Sequence, residues 1–153
     1  MSLLDGALRI VLTTAHYLLR ASWLVRRPET FGAHAVALTP DGKVILVRLR
    51  YAPGWRLPGG GRPGDEPPVD AALRELREEI GLTAYADVKV VRDFKERPHF
   101  KRGTASLVVV RDVRYRPRWN LEVEAICEAD LGALPSDTSA KTRFWIEEVR
   151  EQL

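Results

Sequence analysis

Acidic side chains and one arginine cluster in a short segment of this 153-residue chain. They are Glu66, Arg74, Glu75, Glu78 and Glu79. On an α-helix, at about 100° per residue, Glu75, Glu78 and Glu79 lie on one side, where like charges repel each other. Carboxylate oxygens in this number suit Mg²⁺ or Mn²⁺, which also bind phosphate oxygens. A solvated acidic surface is the alternative, but the glycine-rich stretch just before the cluster, with Glu66 and Arg74 in place, favours a metal site.

The acidic segment is predicted to be a helix that begins near Pro67 and ends at Gly81. Proline suits the first turn of a helix, where backbone N–H groups have no partner, and Asp65 or Glu66 is placed to cap the positive end of the helix or to favour it by charge. Apolar residues recur at the spacing of one buried face. They are Val69, Ala72, Leu73, Leu76 and Ile80. We therefore expect this stripe to face the core, with the carboxylates beside it.

One spaced pattern covers residues 60–82. Gly60 is followed after five residues by Glu66, and after seven more by Arg74-Glu75-Leu76-Arg77-Glu78-Glu79-Ile80-Gly81-Leu82. This is the Nudix box, so the chain resembles a Nudix hydrolase. The resemblance implies an α/β fold, a Nudix-type α/β/α sandwich with a mixed β-sheet. It divides the chain into an N-terminal amphipathic helix over residues 1–27 and a Nudix hydrolase domain over residues 28–153.

The resemblance also implies roles for the clustered side chains. Glu75 and Glu79 match the principal metal ligands, and Glu78 matches a further ligand or the base that orients water. Glu66 is then an auxiliary carboxylate at the edge of the site, and Arg74 holds the glutamates through a salt bridge. The implied cofactor is Mg²⁺, for which Mn²⁺ is able to substitute.

Two further metal ligands are expected outside the box. The resemblance implies that the Gly59 carbonyl faces the metal; otherwise, the glycines of Gly59–Gly61 indicate only a tight turn. Relatives often use an additional acidic residue, and Glu122 is the first candidate because of its position before a Leu-Pro turn. Alternatively, Glu122, Glu124 and Glu128 alternate on one strand face and are simply solvated.

Basic side chains are candidates for binding the phosphates of a substrate. They are Arg48, Arg50, Arg56, Arg62 and Lys101, the last within the basic connector 95–103. Such a connector either contacts phosphates or is an ordinary charged surface loop. His99 in this connector has the nominal pKa of an acid–base catalyst, but a lone loop histidine is more often a surface residue. His16 and His34 are expected to be structural.

The implied activity is hydrolysis of phosphoric anhydride bonds. In the Nudix family, water attacks a phosphorus of a nucleoside diphosphate linked to another moiety, with divalent metals neutralising charge. The expected partner is therefore a small nucleotide, without a stable nucleic-acid partner. Two alternatives stay open: a non-catalytic nucleotide-sensing domain, and an RNA 5′-end pyrophosphohydrolase.

The first 25 residues have a wide apolar face that predicts a helix over residues 3–25. Its longest run without a charged residue, Ile10–Leu19, is shorter than the roughly 20 residues of a membrane span. A signal peptide is disfavoured because Asp5 precedes any basic residue. We expect the helix to pack on the domain or to form a homodimer, and attachment to a membrane surface is a lesser hypothesis.

Strands are predicted over residues 31–38, 44–50, 85–94, 105–113 and 122–128, with a closing helix through Glu151. Asp41-Gly42 predicts a β-hairpin between the first two strands, and Ser136-Asp137-Thr138 predicts the cap of the closing helix. A hydrophobic content of 45% fits one globular core, and a net charge of +3 does not by itself identify a nucleic-acid binder. A single cysteine, Cys127, excludes an internal disulfide and favours the cytoplasm.

Overall fold

A computed structural model describes residues 3–26, 29–96 and 102–153 of the chain. Its helices are α1 (Leu3–Arg26), α2 (Pro68–Glu79) and α3 (Ala140–Val149), the last followed by a 3₁₀ turn at Arg150–Gln152. Its strands are β1 (Glu29–Ala37), β2 (Val44–Leu49), β3 (Trp55–Arg56), β4 (Gly59–Arg62), β5 (Leu82–Ala84), β6 (Asp87–Glu96), β7 (Arg102–Arg111), β8 (Arg114–Tyr115) and β9 (Val123–Ala129). The predicted N-terminal helix is confirmed, and none of the described helices is long and apolar enough to cross a bilayer.

Two main sheets form the centre of the fold. The first has the order β4-β1-β7-β6, in which β1 is parallel to β7 and the other neighbours are antiparallel. The second has the order β3-β2-β9 and is antiparallel throughout. Strands β5 and β8 form a short separate pair. The predicted α/β class with a mixed sheet is thereby confirmed.

Alternate residues of the central strands face different helices, because successive side chains of a strand point to opposite faces. Ala35 of β1 belongs to a buried cluster that includes Leu76 of α2. Its neighbour Val36 belongs to a second buried cluster that includes Trp145 of α3. The sheets therefore lie between α2 and α3, which confirms the predicted α/β/α sandwich.

The predicted β-hairpin through Asp41-Gly42 is wrong, although the turn itself forms. Gly42 has a φ of +79°, and its N–H donates to the Thr39 carbonyl at 2.8 Å. Beyond this turn, one bridge between Leu38 and Val44 joins the two chain segments, and β1 and β2 then enter different sheets. Since β1 already has β4 and β7 on its two edges, it has no edge left for β2.

The helix caps also differ from the prediction. Ser139, and not Ser136-Asp137-Thr138, caps α3 by accepting a backbone N–H at 3.2 Å. Pro67 is the N-cap of α2 and no side chain caps that end, so neither Asp65 nor Glu66 is the cap. Ser, Thr, Asp and Asn are all good N-cap residues. Which of several neighbouring candidates caps a helix depends on where the backbone enters that helix.

The strand expected to begin at Tyr85 begins at Asp87. The residues just before it, Leu82–Ala84, form β5 and pair with β8. Strands β5 and β8 are too short to show the alternation by which a strand is predicted. They were consequently absent from the sequence prediction.

His34 is a half-buried histidine on β1 whose ring lies 4.7 Å from that of Trp145. Burial, followed by the positive charges of Lys141 and Arg56, lowers its pKa from 6.5 to about 3. Below pH 6.5 the unfolded chain therefore binds a proton at His34 that the folded chain does not. Folding free energy is lost as the pH falls from 6.5 towards 3, by at most about 1.4 kcal/mol per pH unit.

We expect the variant His34→Phe, which keeps an aromatic ring beside Trp145, to lose less stability than the wild-type protein on acidification. The measurement is the midpoint of thermal unfolding by calorimetry between about pH 7 and pH 5. Equal slopes of the midpoint against pH in the two proteins would contradict this account of His34.

Candidate functional site

The predicted carboxylates meet in a cleft of about 630 Å³ at the C-terminal end of α2. Glu75, Glu78 and Glu79 line one wall, and Glu122, which is distant in sequence, lines another. Strand β4, including Gly59, supplies the floor between these walls. The fold thus brings together residues predicted from the acidic segment with both candidates from outside it. We call this space the carboxylate cleft.

Glu79, the last residue of α2, is only 5% exposed. Its Oε2 accepts a hydrogen bond from the Gly59 N–H at 2.9 Å. Burial raises the pKa of Glu79 to about 8, the Gly59 N–H opposes this shift, and the charges of Glu75, Glu122 and Glu78 add to it. The Gly59 N–H alone does not compensate for burial of the Glu79 carboxylate. An ionised Glu79 therefore needs a further positive partner.

Arg74 joins the other carboxylates of the segment. Its Nε and Nη2 donate to the two carboxylate oxygens of Glu66, both at 3.1 Å, and its Nη1 donates to Oε1 of Glu75 at 2.7 Å. Nη1 also lies 3.6 Å from Oε2 of Glu78, and Nη2 donates to the Gly61 carbonyl at 3.2 Å. Arg74 thereby links the Glu75 carboxylate of the cleft wall to strand β4.

The arginine affects the two carboxyl groups differently. Its hydrogen bond lowers the pKa of Glu66. For Glu75, burial is the larger influence and raises the pKa, while Arg74 opposes it. One guanidinium is shared among several carboxylates, so it compensates Glu75 only in part.

The glycines before the box form strand β4 and not the tight turn that glycines alone would indicate. This strand pairs antiparallel with β1, with Gly60 opposite Ala33. A Cβ at Gly60 would lie 2.8 Å from Oε1 of Glu75. At Gly59, where φ is +144°, a Cβ would lie 2.3 Å from the Ala33 carbonyl oxygen. A residue without a side chain is therefore required at Gly60 for the Glu75 carboxylate to approach the strand, and at Gly59 for β4 to pair closely with β1.

The facing wall comes from Tyr51 and the loop before β9. The Tyr51 hydroxyl donates to Oε2 of Glu122 at 3.3 Å, and burial and then Glu122 raise the pKa of Tyr51. Asn120 donates to the backbone carbonyl of Glu79 at 3.2 Å, and its Oδ1 accepts the N–H groups of Glu122 and Val123 at 3.0 and 2.6 Å. Asn120 thus ties Glu122 to the end of α2.

The donor set of the carboxylate cleft suits a hard divalent cation. In residues 3–26, 29–96 and 102–153, no three His, Cys, Asp or Glu side chains already form a metal-ligating group. In the carboxylate cleft, Arg74 donates a hydrogen bond to Glu75, and the Gly59 N–H donates one to Glu79. Buried carboxylates with raised pKa values fit Mg²⁺ or Mn²⁺, because such a cation stabilises their ionised form.

A model of the NUDIX domain family matches residues 28–145. The chain belongs to the Nudix family. Helix α1, which ends at Arg26, lies outside the matched segment. The acidic helix α2 and its glycine strand are therefore the Nudix box and its entry, and the resemblance first indicated by residues 60–82 extends over most of the chain.

Comparison with solved structures supports the same fold. A MutT NUDIX hydrolase from Burkholderia pseudomallei is 27% identical with a TM-score of 0.65, over 80% of this chain and 98% of that one. A bifunctional NMN adenylyltransferase/ADP ribose pyrophosphatase from Francisella tularensis, complexed with AMP and a Mn ion, is 17% identical with a TM-score of 0.66. The latter match covers 93% of this chain and 48% of that one, and shows the fold alone.

Curated relatives match only a part of the chain. An RNA pyrophosphohydrolase from Xanthomonas campestris pv. campestris (strain B100) is 49% identical over 47 residues, or 31% of this chain and 23% of the relative. One from Halorhodospira halophila is 41% identical over 56 residues, or 37% of this chain and 30% of the relative. The chain spans about a quarter of the length of the first of these relatives.

A second cleft of about 670 Å³ adjoins the first in this Nudix fold, and both are lined by Gly60 and Gly61. Phe31, His16 and Arg62 are among the residues of its walls. The Arg62 guanidinium carbon lies 5.2 Å from the centroid of the Phe31 ring, a cation–π contact. We call this space the second cleft.

The other predicted phosphate-binding arginines are not brought to either cleft. Arg48 pairs with Asp137, and Arg56 donates to the Pro53 carbonyl at 2.9 Å. Arg50 is 9% exposed. Of the predicted arginines, Arg62 alone therefore lines one of the two clefts.

The remaining basic candidates lie in the connector between β6 and β7. Lys101 and His99 fall outside the described residues. At the near end of the connector, the Lys95 ammonium donates to Thr104 at 3.1 Å.

Several cleft residues were missed from the sequence. Tyr51, Asn120 and Trp119 line the carboxylate cleft, yet no Nudix motif position marks them. Asn120 stands two residues before Glu122, which was a usable signal, since a polar residue next to a candidate ligand often orients it. For Tyr51 and His16 no local signal exists, because their roles arise only from contacts with distant elements.

We expect Gly60→Ala to displace the Glu75 carboxylate and to weaken Mn²⁺ binding while the protein stays folded, since the flexible end of a side chain yields before backbone does. Gly61→Ala is the matched control, because the nearest atom to its Cβ, the Phe31 carbonyl oxygen, lies 3.9 Å away. The measurements are Mn²⁺ titration by electron paramagnetic resonance and circular dichroism. Equal Mn²⁺ affinity in both variants would contradict the close packing of Glu75 on β4.

Proposed function

We propose that this Nudix protein hydrolyses the diphosphate linkage of a nucleoside diphosphate linked to another moiety, with Mg²⁺ as cofactor and Mn²⁺ able to substitute. The supporting observation is that Glu79, which is buried, and Glu75, which is half-buried, line one cleft with raised pKa values beside the backbone of Gly59–Gly61. When bound, the divalent cation neutralises charge that builds on the phosphoryl oxygens.

The proposal gives the buried carboxylates the task of holding the cation. Glu79 and Glu75 are its principal ligands, and the Gly59 carbonyl is a further one. Arg74 orients Glu75 through its hydrogen bond of 2.7 Å and keeps Glu66 at the edge of the site. The cation would then lie close to the glycine backbone, where a diphosphate meets little steric hindrance.

The more exposed carboxylates are available to act on water. The Glu78 side chain is 61% exposed and lies 3.6 Å from Arg74, so it is free to serve as a further ligand or as the base that orients water. Glu122 faces it across the cleft and accepts from Tyr51. We propose Glu122 as an additional ligand or as an alternative base.

RNA 5′-end hydrolysis is a second candidate function. The local identity of 49% over 47 residues to an RNA pyrophosphohydrolase favours it. A 5′-triphosphate RNA and a small nucleotide contain the same type of phosphoric anhydride bond, so the same carboxylates would serve for both substrates. Binding of the RNA would weaken steeply as the salt concentration rises, because RNA phosphates beyond the cleft would form additional contacts with basic side chains of the protein.

A non-catalytic nucleotide sensor is disfavoured by the site. Burying several like charges together costs free energy. A protein that only binds nucleotides does not need a full set of carboxylates and would gain nothing in return for this cost. The acidic positions of the box nevertheless all line the cleft or bond to Arg74.

We expect Glu79→Gln and Glu78→Gln each to lower turnover by at least about a hundredfold, the range for loss of a metal or acid–base function. Glutamine at position 79 still offers an oxygen to the Gly59 N–H, so the fold is kept. Glu147→Gln is the matched control, because its side chain is 70% exposed on α3.

The assay follows release of phosphate or monophosphate, with and without Mg²⁺. Its substrates are ADP-ribose, a dinucleoside polyphosphate, a nucleotide sugar, a nucleoside triphosphate and 5′-triphosphate RNA, the last at several salt concentrations. Near-native turnover by folded Glu79→Gln would exclude the proposed mechanism, and binding of nucleotides without any hydrolysis would favour the sensor.

We further propose that α1 mediates a homodimer. Large apolar side chains on this helix are more than half exposed, an arrangement that a second copy would cover. They are Ile10, Val11, Tyr17, Leu18 and Leu19. Leu18→Ser is expected to shift the protein from dimer to monomer in sedimentation equilibrium, whereas a wild-type protein that is monomeric at micromolar concentration would refute the proposal.

A further inference from the structure

Helix α1 lies outside the segment matched by the Nudix family, yet it contacts elements of the site. Arg9 donates through Nε to the Arg50 carbonyl at 3.1 Å and through Nη2 to Oε2 of Glu124 at 3.0 Å. About two helical turns beyond Arg9, the His16 ring stacks on Tyr51 with 5.6 Å between centroids and 27° between planes. Both contacts hold α1 beside the end of β2 and the start of β9.

The His16–Tyr51 stack stands between the two clefts. Tyr51 lines the carboxylate cleft and donates to Glu122 there. His16 lines the second cleft. Because Gly60 and Gly61 line both clefts, a ligand that crosses this glycine backbone from one cleft to the other passes along the stacked pair.

The two clefts offer different chemistry to such a ligand. The carboxylate cleft suits a cation and the diphosphate that binds it. The second cleft, with a similar volume, has Phe31 and Ala105 in its walls, and its Glu96 is already paired with Lys141 at 2.8 Å. Apolar walls with a few polar groups suit the nucleoside end of a nucleotide.

We propose that α1 is part of the substrate site. In this proposal the His16 ring, which stacks on Tyr51, makes an aromatic ring contact with the nucleoside end of the substrate in the second cleft. This inference rests on the proposed function for its substrate class. His16 is then a specificity-determining residue that the Nudix domain itself does not provide. Its side chain contacts the ligand far from the reacting phosphorus, so the effect falls on binding and not on the chemical step.

Two variants separate a ring contact from simple packing. His16→Leu keeps an apolar side chain on Tyr51 and good helix propensity but removes the ring, whereas His16→Phe keeps a ring. Thr14→Ala is the control on α1, because the exposed Thr14 hydroxyl bonds only to the Ile10 carbonyl of the same helix, at 2.9 Å, among the contacts described here. Circular dichroism verifies that all three remain folded.

The probes are AMP and ribose 5-phosphate, titrated by calorimetry in the presence of Mg²⁺, together with KM and kcat for the best substrate of the panel. We expect His16→Leu to weaken AMP binding and to raise KM by about three- to tenfold, the range for one ring contact. Affinity for ribose 5-phosphate and kcat should stay within about twofold, and His16→Phe and Thr14→Ala should behave as wild type.

The inference is overturned if His16→Leu binds AMP as the wild-type protein does, or if His16→Phe is weakened as much as His16→Leu. Failure of the wild-type protein to bind AMP also overturns it. Hydrolysis is a separate readout: a wild-type protein that binds AMP but hydrolyses nothing in the panel refutes the proposed activity, and the AMP titrations still decide the role of His16.

Discussion

Burial of negative charge against a glycine strand is the constraint on which the site depends. Glu79 is placed in the interior with the Gly59 N–H as its hydrogen-bond donor, and Glu75 packs where Gly60 has no side chain. One arginine, Arg74, is shared among the neighbouring carboxylates and cannot neutralise them all. Such an arrangement costs folding free energy in the absence of a cation, and that cost is the physical reason for assigning a cation to it.

The α/β/α sandwich holds the chain segments of the site in fixed positions. Helix α2 is anchored by its buried stripe, β4 is anchored by pairing with β1, and Asn120 links the end of α2 to the loop that carries Glu122. Three chain segments that are distant in sequence are thereby held around one cleft. The helix that lies outside the Nudix domain adds a fourth, since it reaches Tyr51 through His16.

Prediction from the sequence succeeded where the signal was local and periodic. The helix over the box, its buried stripe and the N-terminal helix followed from the spacing of apolar residues. The hairpin prediction failed because Asp41-Gly42 reports only a turn, whereas strand pairing depends on which edges of β1 are already occupied. Charge alone also nominated Arg48 for the substrate, and only the structure shows that this arginine forms an ion pair with Asp137.

The sequence by itself determined the family, the fold class and the identity of the clustered carboxylates, because these reside in one continuous pattern from Gly60 to Leu82. Only the tertiary structure decided which of the glutamates is buried, since Glu78 and Glu79 are adjacent in the chain yet differ from largely exposed to nearly inaccessible. It also decided that Tyr51, Asn120 and His16 belong beside them. The reason is physical: burial and desolvation depend on what packs against a side chain, and that information is distributed over contacts between segments far apart in sequence.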